Sequence, residues 1–88
     1  MFECHITVST DDADVATQIA TAQHWKTSEI ARDPVLGDKN FFYLTSHSKD
    51  YKDIWDRLRT CVTIFEKCKV PVIREKIELI VHDTKVKL

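Results

Sequence analysis

Residues 39 to 83 read KNFFYLTSHSKDYKDIWDRLRTCVTIFEKCKVPVIREKIELIVHD, and within them the apolar spacing changes period twice. Over 39–47 the residues are aromatic and alternate. If Phe42 and Leu44 face a core, then Phe41, Tyr43, Thr45 and His47 face away. Over 48–69 the period becomes helical. Tyr51, Ile54, Trp55, Leu58, Cys61, Val62 and Phe65 form one broad apolar stripe, which Cys68 continues and which reads as core. Ser48 or Asp50 can cap the start, Lys67 and Lys69 stand where the helix dipole favours cations, and Val70 with Pro71 ends the helix. Over 72–83 the two-residue period returns. The segment is therefore strand, helix, strand.

The first half of the chain repeats this order. In FECHITVS (2–9), Phe2, Cys4, Ile6 and Val8 take one side, and Glu3, His5, Thr7 and Ser9 the other. TDDADVATQIATAQH (10–24) is a helix, capped by Thr10 or Asp11. Its apolar positions are Val15, Ile19 and Ala22, with Ala16 and Ala20 alongside. WKTSEIAR (25–32) is a weaker strand whose pattern allows either face inward. Pro34 and Gly37 punctuate the connection over 32–40.

The order β-α-β-β-α-β predicts a ferredoxin-like α+β sandwich. Right-handed crossovers interleave the two halves. The result is a four-stranded antiparallel sheet with the first and third strands central. Both helices cover one face and the other face is open. The 88 residues are read as a single domain.

Composition excludes several functions. With 13 basic and 14 acidic side chains the net charge is −1, which disfavours general nucleic-acid binding. No basic stretch followed by an apolar run marks a signal peptide, and no apolar run spans a membrane, so a cytoplasmic protein is expected. Three cysteines without a CxxC pair read as reduced, small hydrophobes, with Cys61 and Cys68 on one helix face. No cofactor or metal is expected. Zinc-type ligand spacing is missing, and a site built from Cys4 and the histidines is the minor alternative. The acidic run Asp11, Asp12, Asp14 reads as a helix start, and His24 as a helix end.

The last strand carries the unusual residues. Arg74, Lys76 and Glu78 stand two apart and so share a face. In the expected sheet Arg74 lies near Thr7 and Ser9, and Lys76 and Glu78 lie near Thr7 and His5. Tyr43 and Thr45 flank the first strand from the other side. The open face thus gathers His5, Thr7, Tyr43, Thr45, Arg74, Lys76 and Glu78. Arg and Lys suit a phosphate or carboxylate. Tyr43 or Phe41 offers a ring for stacking. Glu75 falls on the side of Ile73 and Ile77, which predicts either a place at the sheet rim or a neighbouring β-bulge.

His5-Ile6-Thr7-Val8 has the form His-x-Thr-x with an apolar last residue, and His82-Asp83-Thr84-Lys85 repeats His-x-Thr. This resembles the paired motif of the 2H phosphoesterases. The resemblance implies two histidines as general acid and base on a phosphodiester, and two threonines holding the phosphate. By that likeness the catalytic residues are His5, Thr7 and His82. Lys85 departs from the apolar position of the family. The chain also holds one lobe where the family has two, so the resemblance requires a symmetric dimer.

The leading expectation is a small binding module whose open sheet face takes an anionic small molecule, a nucleotide or phosphorylated metabolite. The alternatives are a protein-interaction or homodimerisation domain without a ligand, a merely solvated face, and the dimeric phosphodiesterase.

Overall fold

The computed structural model describes residues 1–30 and 41–80. Four strands and two α-helices follow in the expected order: β1 (Phe2–Ser9), α1 (Ala13–Gln23), β2 (Lys26–Ile30), β3 (Phe41–Ser48), α2 (Tyr51–Lys67) and β4 (Arg74–Leu79). The strands pair antiparallel in the order β2-β3-β1-β4. This is the ferredoxin-like arrangement, with β1 and β3 central and both helices on one face. The outer parts of the expected strands, 31–32, 39–40 and 81–83, lie outside the described residues, as do the connection carrying Pro34 and Gly37 and the His82-Asp83-Thr84-Lys85 motif.

Alternation on the strands builds the core. Cys4, Ile6 and Val8 from β1 and Phe42 and Leu44 from β3 meet Ile54, Leu58, Cys61, Val62 and Phe65 from α2. From α1 come Ala16, Ile19 and Ala20. Small residues at two of these positions let α1 sit close to the sheet. Val15, expected to face inward, is 38% exposed, and Ala22 is exposed as well. The inward stripe runs through Ala16 instead, a rotation of one residue that periodicity alone does not settle.

Helix ends follow local chemistry. Ser9, not Thr10 or Asp11, caps the 3-10 turn before α1: its hydroxyl accepts from the Asp11 N–H. Ser48 and Asp50 act in sequence at α2, accepting from the N–H groups of Asp50 and Lys52. Both helices end on a left-handed residue, His24 at φ 62° and Lys69 at φ 59°. The following N–H then reaches back to a carbonyl of the last turn, Trp25 to Ala20 and Val70 to Phe65. This is the Schellman closure that glycine usually makes. Here Trp25 and Val70 are buried just after it, which holds each turn in place.

Two stripe residues of α2 correct the sequence expectation. Trp55 is 44% exposed and Tyr51 53% exposed, so neither is core. Trp55 lies beneath the Arg59 guanidinium, 5.9 Å from ring centroid to carbon. Tyr51 meets Phe2 edge-on. The apolar stripe is wider than the sheet it covers, and its flank is left to solvent. Cys68 is exposed at the helix end, while Cys61 is buried. No described helix is long and apolar enough to cross a membrane.

Candidate functional site on the open sheet face

Strand register lays the open face out in rows. Thr7 pairs with Tyr43 on one side and Arg74 on the other, and Ser28 continues that row beyond Tyr43. In the next row His5 lies between Thr45 and Lys76, with Lys26 beyond Thr45. A third row places Glu3 between His47 and Glu78. Residues two apart on a strand share a face, so the three rows present their side chains together. The strand ladder over 74–79 is continuous, with no bulge. Glu75 faces the helices at the sheet rim and meets Arg59 of α2 at 3.0 Å.

The first two rows shape a half-open cavity of about 210 Å³, lined by His5, Thr7, Ser28, Tyr43, Thr45, Arg74 and Lys76. Thr7 sits deepest, only 3% exposed, between its two bulky row neighbours. Arg74 is half-buried, and its side chain makes no hydrogen bond or ion pair among the described residues. The cavity therefore combines hydroxyl groups with two cations.

The third row has the opposite character. Glu3 reaches both histidines: one carboxylate oxygen meets His5 Nε2 and the other lies 2.7 Å from His47 Nε2. Glu78 lies 3.5 Å from His5 Nε2 and 2.9 Å from Lys76 Nζ. On its other edge the His5 ring places Nδ1 3.0 Å from Thr45 Oγ1. The hydrogen bond from Lys76 holds the Glu78 carboxyl below the usual carboxylate range, helped by the charges of Lys76, His5 and Arg74.

Six of the seven open-face residues read from sequence line this cavity. Glu78 does not; it stands opposite Glu3, beside His5 at 3.5 Å but two rows from Thr7. Phe41 is 5% exposed, so it presents no free ring for stacking. Ser28 was not singled out, because the pattern of 25–32 left its face open. Pairing with Tyr43 puts Ser28 and Lys26 on the cavity side, while Trp25 is buried in the core. Glu3 and His47 share parity with His5 and Thr45, and that parity was the available signal. Cys4 points into the core, away from the histidines, and burial pushes its thiol up to about 12. A ligand set of Cys4 with the histidines is thereby ruled out.

No protein-family model matches the chain, and no curated protein matches it. Among solved structures it is similar to a Deinococcus radiodurans protein described as an antibiotic biosynthesis monooxygenase. The TM-score is 0.63 over 99% of both chains, at 14% identity. At that identity the likeness concerns the fold, which is ferredoxin-like in both.

Proposed function

We propose that the chain is a small binding module and that the open-face cavity takes an anionic small molecule. One observation carries the reading. Arg74 and Lys76 converge with the hydroxyl-bearing residues Thr7, Ser28, Tyr43 and Thr45 on one concavity, and Arg74 is without an ion-pair partner among the described residues. A half-buried guanidinium is strongly served by a phosphate or carboxylate, which it can bind through two parallel hydrogen bonds. The volume of about 210 Å³ lies below the ~300–1,000 Å³ of drug-sized pockets. It suits a phosphorylated metabolite, or the phosphate end of a nucleotide with its base outside.

The dimeric phosphodiesterase is less well supported. Two carboxylates stand beside His5 Nε2 and repel a phosphodiester at the atom that would transfer the proton. The monooxygenase description belongs to the similar protein, and at 14% identity no activity is carried from it. Docking of a second copy is the competing reading. It is supported by edge strand β4, where Leu79 is 60% exposed, with Ile73 just before it at 43%. A strictly monomeric chain in light scattering would remove it.

The anion reading is tested by thermal unfolding against a panel of phosphorylated metabolites and nucleotides. A ligand that binds only the folded state adds about 2.7 kcal/mol at 100 times its Kd. The expected result is a raised midpoint in the wild type that is lost in Arg74→Ala. No shift with any compound overturns the reading.

A further inference from the structure

The anion cavity does not account for the third row of the open face. Glu3 and Glu78 are directly opposed across β1 and β4. Like charges in that position destabilise a strand pair. His5 stands beside both carboxylates. Its Nε2 and one oxygen from each glutamate all lie within 4.8 Å of one another. All three residues sit on paired strands, so their spacing is held by the sheet. We propose that Glu3, His5 and Glu78 form a binding site for a divalent first-row transition ion of the zinc class.

The surrounding residues fit this assignment. An imidazole that ligates through Nε2 normally donates its Nδ1–H to an oxygen acceptor, which orients the ring. Thr45 Oγ1 occupies that place at 3.0 Å. A ligating carboxylate is likewise held by a second hydrogen bond, and His47 Nε2 supplies one to the far oxygen of Glu3 at 2.7 Å. Binding requires the neutral imidazole of His5 with its proton on Nδ1 and the Nε2 lone pair turned to the ion. One imidazole and two carboxylates select a zinc-class ion over magnesium or calcium, which prefer an all-oxygen set. Three protein ligands leave a coordination position open.

Lys76 opposes the ion. Its ammonium lies 2.9 Å from Glu78 and partly occupies the role a metal would take. Removing that ammonium therefore strengthens metal binding, whereas the anion reading requires the same change to weaken its ligand. The two proposals are thus separable. Arg74→Ala abolishes the anion shift and leaves the three metal donors intact.

Isothermal titration of ZnCl2 into chelator-treated protein tests the site. The expected result is one zinc bound per chain, with Glu3→Gln and Glu78→Gln each abolishing it. His47→Ala should weaken it by about tenfold, the usual effect of removing an outer partner. Lys76→Met should tighten it, and His24→Ala, at the end of α1 on the helix side of the sheet, should leave it unchanged. Cobalt as a paramagnetic probe should broaden the ring signals of His5 before those of His24. Glu78 is 48% exposed, so Glu78→Gln carries the test if Glu3→Gln fails to fold. The proposal is overturned by absence of binding up to about 1 mM zinc, far weaker than structural or catalytic sites. Binding that persists unchanged in Glu78→Gln also overturns it.

Discussion

Arg59 of α2 donates to Glu75 of β4 at 3.0 Å, tying the long helix to the edge of the sheet. The contact explains why an acid stands on the apolar side of the last strand. Glu75 lies at the rim, where a carboxylate reaches past the core to solvent and to a helix cation. Both side chains are about two-fifths exposed, at 41% and 38%. Such a pair contributes about 0–1 kcal/mol. Glu75→Ala should therefore lower stability by less than about 1 kcal/mol in urea unfolding. Glu75→Val, which suits a strand beside Ile77, should leave stability equal or raised. A loss above about 3 kcal/mol would mean that Arg59 is left desolvated, contrary to this account.

Glu78 should titrate below an ordinary glutamate, because the Lys76 ammonium hydrogen-bonds its ionised form. The folded value is depressed, so this contribution to stability is present above the unfolded carboxylate pKa and is lost as pH falls through the folded one. In Lys76→Met the Glu78 carboxyl should move back up toward the ordinary value. Carbon-detected NMR titration of the side-chain carboxyl reads this directly. An unchanged midpoint in the variant would sink the assignment of Lys76 as the main cause.

The three thiols should divide by burial. Cys4 and Cys61 are enclosed in the core, and burial pushes both up to about 12. Cys68 is exposed at the end of α2. In native buffer a thiol-specific chromophore should label Cys68 promptly. Cys4 and Cys61 should react only with global unfolding, since the thiolate is the nucleophile and neither access nor charge is available to them. Three thiols reacting at one fast rate would contradict the packing of β1 against α2.

The fold was legible because its signals are local. The change from alternation at Phe42 and Leu44 to helical spacing at Ile54, Leu58 and Phe65 needs no knowledge of the rest of the chain. Trp55 was not legible. It falls on the helical stripe, yet whether a stripe edge is covered depends on the width of the sheet beneath it. Phe41 was misread for a related reason. Parity placed it on the open side, but parity says nothing of how deeply a residue is covered there. Val15 was misplaced because an alanine-rich helix allows neighbouring rotations of nearly equal apolar character.

By itself the sequence determined the order of elements, the strand order and the parity of β1, β3 and β4. Side chains alternate along any strand, so the common face of His5, Thr7, Tyr43, Thr45, Arg74 and Lys76 follows from backbone geometry. Strand order already brought Arg74 near Thr7; only the tertiary structure decided the residue-by-residue register, which confronts Glu3 with Glu78. It also decided the face of β2 and so brought Ser28 to the cavity. These relations join segments distant in the chain. Their energies arise from pairing and packing between elements, which no local pattern encodes.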